Sequence, residues 1–146
     1  MIYAADEEFP VGGAKVVRDG DDITLIGAGI TLHEALKAAD ALAEDGTSAR
    51  VIDLYSLKPI DAGTLREAVD ATHGRVLVVE DHWPEGGLGE AVLAALAGTE
   101  LQFVHLAVRE MPGSGKPAEL LAAAGIDADA IAVAARKLVS AAAVAR

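Results

Sequence analysis

Short β-branched runs alternate along this chain with longer amphipathic stretches, the pattern left by strands joined through crossover helices in a parallel sheet. A first strand is predicted over Ala14–Arg18, closed by the turn signal Asp19-Gly20-Asp21-Asp22, and a second over Ile23–Gly27. So short a connection favours a hairpin, which makes the first strand an antiparallel edge. Thr31-Leu32-His33-Glu34 has capping-box spacing and opens a helix. Leu32, Ala35, Leu36, Ala39, Leu42 and Ala43 fall on one face of it, and His33, Lys37, Asp40 and Glu44 on the other, so His33 is expected in solvent.

Ala49–Leu54 reads as a buried strand, and Asp61 as the cap of a helix from Ala62 to Thr72 with Leu65 and Val69 inward. A fourth strand follows over Arg75–Glu80, a short alanine-rich helix over Leu88–Leu96 and a fifth strand over Leu101–Val108. Pro117 suits the first turn of a helix reaching Ala124. Asp127 caps a last helix with the apolar stripe Ile131, Ala134, Ala135, Leu138 and Ala142. The fold class these elements predict is α/β in three layers: a five-stranded, mostly parallel sheet with one antiparallel edge strand and helices on both faces. Sites in such sheets form at the carboxyl ends of the strands, here the loops Gly27–Ile30, Tyr55–Pro59, Asp81–Gly89 and Arg109–Lys116.

A length of 146 residues suits one domain, and 52% hydrophobic with 24% charged residues is a globular composition. The absence of cysteine excludes disulfides, zinc knuckles, iron–sulfur clusters and thiol nucleophiles. With 23 acidic against 12 basic residues and a net charge of −11, the surface is not built to neutralise phosphate backbones or anionic lipid. Neither nucleic acid nor a membrane is an expected partner. The opening MIYAADEEFP is acidic where a signal or transit peptide would be basic, and no apolar run approaches the roughly 18 residues of a membrane span, so a cytoplasmic location is expected.

Gly27-Ala28-Gly29 lies between a strand and a helix, with Asp53 ending the next strand. A dinucleotide fingerprint would need a third glycine where Leu32 stands, and a tight turn explains the pair equally well. Gly113-Ser114-Gly115-Lys116 lacks the first glycine and the final Ser or Thr of a phosphate loop, although amides before Pro117 could hold an anion. Glu80-Asp81-His82 has no further clustered ligands, so no metal site is assigned. His105 reads as a packed strand residue and His73 as a helix-end loop residue, neither with a catalytic companion. Ser56 and Ser114 have no base nearby in sequence. In Glu85-Gly86-Gly87-Leu88-Gly89-Glu90 the two glutamates place negative charge where a phosphate would sit, so the glycines suit close approach to another protein surface. Trp83 in the same loop is a candidate interface anchor.

From about Ile2 to Val139 the chain resembles the carboxyl-terminal domain of transketolases, nearest to the shorter form also found in animals. The stretches that carry the resemblance are VGGAKVV, DDITLIGAGITLHEALKAADAL, ARVIDLYSLKPID, VEDHWPEGGLGEAV and, most specific, HLAVREMPGSGKPAELLAAAGID. Pyruvate dehydrogenase β subunits and deoxyxylulose phosphate synthases share several of them more loosely. The resemblance implies a homodimer of three-domain chains, with thiamine diphosphate and Mg2+ or Ca2+ between the first two domains of opposite subunits. It implies a third domain that supports the dimer and supplies no catalytic, cofactor or metal ligand. The family's cofactor–metal motif is GDG followed further on by asparagine, and this sequence has no asparagine.

Residues 1–13 resemble the interdomain linker, which makes 14–146 the domain itself and the chain either an expressed fragment or a separately encoded subunit. Alone it is expected to be inactive, with Asp81, His82, Trp83, Glu85, Gly86, Gly87, Gly89 and Glu90 at the interface to the other transketolase domains. Two alternatives stay open on the residues: a small-ligand or nucleotide-binding regulatory domain using Gly27, Gly29 and the Gly113, Ser114, Gly115, Lys116 loop, and the terminal domain of a related ketoacid dehydrogenase subunit.

Overall fold

The computed structural model describes residues 2–144, and side chains as far as residue 141. The strands are β1 (Lys15–Arg18), β2 (Ile23–Gly27), β3 (Ala49–Asp53), β4 (Arg75–Val79) and β5 (Gln102–Leu106). The helices are α1 (Ile30–Glu44), α2 (Ala62–Ala71), α3 (Leu88–Ala95), α4 (Pro117–Ala124) and α5 (Ala128–Val144). The sheet order is β1-β3-β2-β4-β5, with β1 antiparallel to β3 and every other pairing parallel. This is the predicted α/β sheet with helices on both faces.

Alternation along β2 and β4 divides the core. Ile23, Leu25, Leu77 and Val79 face α1 and α5, while Ile26, Val76 and Val78 face α2 and α3. Thr24 shares the second face, and its hydroxyl reaches the Ala68 carbonyl (3.2 Å) and the Thr72 hydroxyl (2.9 Å). No helix among the described residues is long and apolar enough to cross a membrane.

Three expectations need correction. The first strand is the antiparallel edge, but its partner is β3, with Lys15 opposite Asp53 and Val16 opposite Ile52. A hairpin with β2 is impossible because β3 and β4 occupy both sides of β2. The connection instead crosses the start of β3 at Gly20, where a Cβ would strike the Ala49 and Arg50 backbone.

The capping box is also absent. Helix α1 begins at Ile30 after Gly29, whose φ of 58° suits glycine, and Thr31 lies inside the first turn. The Thr31 hydroxyl accepts from the Ala28 N–H (3.2 Å) and faces the Ala28 and Val79 carbonyls at 2.9 and 3.0 Å. Glu34 is buried: it pairs with Lys37 (2.6 Å) and accepts the Ala128 N–H (3.0 Å) at the start of α5.

Third, Ala43 is exposed, and Ala38 fills the inner face of α1 in its place because the buried stripe follows α5 and the sheet. Asp61 and Asp127 cap as predicted, accepting the Thr64 and Ala130 N–H groups, each at 3.0 Å. The predicted stripe residue Ala142 lies outside the described side chains.

Candidate functional site

The loops at the carboxyl end of the sheet form the candidate site. Strand β4 is wholly buried, and the next residue, Glu80, is only 4% exposed. Its Oε2 accepts the Leu88 N–H (2.5 Å), and its Oε1 accepts both the Gly89 N–H (3.1 Å) and His105 Nε2–H (2.5 Å). The negative group a helix N-terminus attracts is therefore supplied to α3 from within. Gly87 and Gly89 allow this approach, since a Cβ at either would overlap Glu80 or His105.

Sequence reasoning found no companion for His105, yet one exists 25 residues back. His105 lies opposite Val78 in the parallel register, so His105, Val78 and Glu80 share the α3 face. The signal was present in the alternation but depended on knowing the register. The pair belongs to no cluster of three or more metal-ligating side chains among the described residues. What it does is hold a loop.

That loop carries the predicted interface residues. Asp81, His82, Trp83, Glu85, Gly86 and Glu90 are exposed, whereas Gly87 and Gly89 are buried against their own chain. Glu90 accepts the Gly86 N–H (2.8 Å), and His82 Nδ1 donates to the Trp83 carbonyl (2.7 Å). Pairing to the β5 side continues past the strands through Glu80 N–H to Leu106 O and Val108 N–H to His82 O, both 3.0 Å. Trp83 is thus presented from a fastened loop.

Gly113, Ser114, Gly115 and Lys116 are all exposed. The Lys116 N–H donates to the Glu119 carboxylate (3.0 Å), which puts negative charge where an anion would bind. Beside this loop lies an open, chiefly apolar groove of about 700 Å³ between the segment after β5 and helix α4, with Ile30, His105, Met111, Leu120 and Leu121 among its lining.

Residues 2–13 cover the end of β3. Tyr3 donates its hydroxyl to Asp53 (2.6 Å), and Phe9 sits edge-on between Tyr3 and Tyr55 at 4.9 and 5.0 Å. Burial, then the bond to Asp53 and its charge, raise the Tyr3 hydroxyl far above an ordinary phenol. Asp53, the residue a nucleotide ribose would need, is therefore already engaged, and the Gly27–Gly29 segment forms the tight turn into α1. Nearby, the Asp61 carboxyl is held below the usual range, chiefly by the Thr64 N–H, with burial opposing and the Thr64 hydroxyl and Ala14 N–H assisting.

Residues 12–131 match the family model described as "Transketolase, C-terminal domain". The chain is 51% identical to mouse transketolase and 50% identical to human transketolase over 143 residues, covering 96% of this chain and 23% of each relative. It is 53% identical to bovine transketolase-like protein 1 over 129 residues, 86% of this chain and 22% of that protein. A solved structure of a split-gene transketolase, described as an inactive β4 tetramer, superposes with a TM-score of 0.88 at 34% identity, over 96% of this chain and 45% of that one. The chain thus spans under a quarter of these full-length relatives. A family match over most of its length, joined to the same fold, places this chain in the transketolase C-terminal domain family.

Proposed function

We propose that this chain serves as the C-terminal domain of a transketolase, the thiamine diphosphate-dependent enzyme that moves a two-carbon ketol unit between sugar phosphates in the pentose phosphate pathway. Its part is structural: it braces the catalytic domains in a cytoplasmic homodimer and performs no chemistry alone. The exposed residues of the Asp81–Glu90 loop, led by Trp83, make the contacts. The observation that carries this reading is the Glu80 clamp. It spends the N-terminus of α3, where a diphosphate would otherwise find free amides, on an internal carboxylate that fixes a presenting loop.

The residues present do not fit thiamine diphosphate with its metal. Carboxylates already occupy the first amides of α3 and the amide before α4, and the described residues hold no ligand cluster for a divalent ion. The cofactor belongs, in this reading, to the domains that make up the rest of the relatives.

The test is to assay the chain with thiamine diphosphate, Mg2+, xylulose 5-phosphate and ribose 5-phosphate, alone and after addition of the remaining domains of a transketolase. Activity is expected only in the second case. Turnover by the chain alone, or no gain from the chain over the remaining domains by themselves, would overturn it.

A further inference from the structure

Two Asp-Gly pairs occur in this sequence, Asp19-Gly20 and Asp45-Gly46, and no asparagine. In such a pair the glycine amide nitrogen can attack the preceding side-chain carboxyl carbon, because no Cβ shields it and the backbone turns freely to meet the carboxyl. The amide proton leaves with the carboxyl hydroxyl as water, and a five-membered succinimide ring closes. Water then re-opens the ring at either carbonyl, and opening at the α-carbonyl leaves the chain joined through the aspartate β-carboxyl. No atom is gained or lost overall and nothing is oxidised or reduced. The reaction needs only a carboxyl and an amide nitrogen at liberty to approach each other.

The fold treats the two pairs differently. Asp45 and Gly46 close helix α1: the Gly46 N–H donates to the Ala43 carbonyl (3.0 Å), and Arg136 of α5 holds the Asp45 carboxylate through Nε (2.7 Å) and Nη2 (2.5 Å). Nitrogen and carboxylate are each committed elsewhere. Asp19 and Gly20 lie between β1 and β2, where the Gly20 N–H donates to no acceptor among the described residues. The Asp19 side chain is 88% exposed against 52% for Asp45, and its ion-pair contact with Arg50 is longer, at 3.3 Å.

We infer that Asp19 is the site at which this chain isomerises spontaneously to isoaspartate, and that the junction of α1 with α5 shields Asp45 from the same reaction. The inference is independent of the structural role proposed above. The change is not silent at this position. Gly20 passes so close to β3 that a Cβ would strike the Ala49 and Arg50 backbone, so one more backbone carbon just ahead of it forces the crossing to shift. Arg50 Nε then loses the Gly20 carbonyl (3.1 Å), and the pairing of β1 with β3, already irregular between Val16 and Arg18, loses the support beside it.

Ageing the folded chain at neutral pH and mapping isoaspartate by peptide mass spectrometry tests it, with each pair referred to its own rate in the same chain unfolded by urea. Folding is expected to slow Asp45 at least about tenfold and to leave Asp19 within about threefold of its unfolded rate. Asp19→Glu, whose longer side chain would have to close a six-membered ring, should abolish the product at that position, and its exposure keeps the substitution from disturbing the fold. The isomerised chain, separated by chromatography, should exchange its amide hydrogens faster over Lys15–Arg18. Equal slowing of the two pairs, greater slowing at Asp19, or product surviving Asp19→Glu overturns the inference. Unchanged protection over Lys15–Arg18 overturns the consequence drawn for β1.

Discussion

Two loops leave the carboxyl end of the sheet side by side, and they are held in opposite ways. The one after β4 is rich in glycine, yet Glu80 binds it at Leu88 and Gly89, Glu90 binds it at Gly86, and β5 borders it. The one after β5 has two glycines of its own, Gly113 and Gly115, and is exposed from Arg109 to Lys116. Its side chains meet little of their own domain. Glycine content therefore does not separate a fixed loop from a free one. In the first, glycine removes a Cβ so that buried polar groups can meet; in the second, a Cβ at Gly113 would meet nothing within 4 Å.

The largest test of that contrast is Glu80→Ala. It strands two amides and an imidazole, and should lower stability by about 2–4 kcal/mol in urea denaturation, with Leu88 and Gly89 losing hydrogen-exchange protection. A cost no greater than that of a surface substitution would erase the difference between the loops. Gly89→Ala should cost about 1–3 kcal/mol by pushing His105 from its place, again by urea denaturation.

A third loop, ending at the Asp61 cap, gives an intermediate case. Asp61→Ala should cost about 1 kcal/mol. Because the folded carboxyl titrates below the unfolded one, its contribution is complete above the unfolded value of about 3.9 and is lost as pH falls through the folded value. Denaturation of Asp61→Asn should show a shallower loss of stability in that acid window than the parent chain. The smallest effect belongs to the free loop: Gly113→Ala should move the unfolding free energy by no more than about 0.5 kcal/mol, measured at low concentration.

Much of the fold is legible in the chain because its determinants are local. The β-branched run at Ile23–Gly27, the Asp61 and Asp127 caps and Pro117 at the start of α4 each act within a few residues, and each element forms where they indicate. What escapes is settled between elements. Thr31 and Glu34 have the right spacing for one another, but Glu34 is drawn to the amide of Ala128, 94 residues away. His105 meets Glu80 only once β5 lies against β4. The partner of β1 depended likewise on which sides of β2 were already taken. Trp83 is exposed, whereas the incomplete packing of α4, which has no buried residue, becomes visible only in the assembled fold.

The pairing of β1 with β3 also orders events in time. The first strand has no template until the β2–α1–β3 unit is assembled, so the amino-terminal segment is secured late although it emerges first. Once in place it pairs with a single neighbouring strand and is fastened to the end of β3 and the loop after it by the Tyr3–Asp53, Gly12–Ser56 and Ala14–Asp61 bonds and the aromatic contacts around Phe9. Most of these fastenings gather on β3 and the Tyr55–Asp61 segment, so a load on residues 2–18 passes to that region of the domain first.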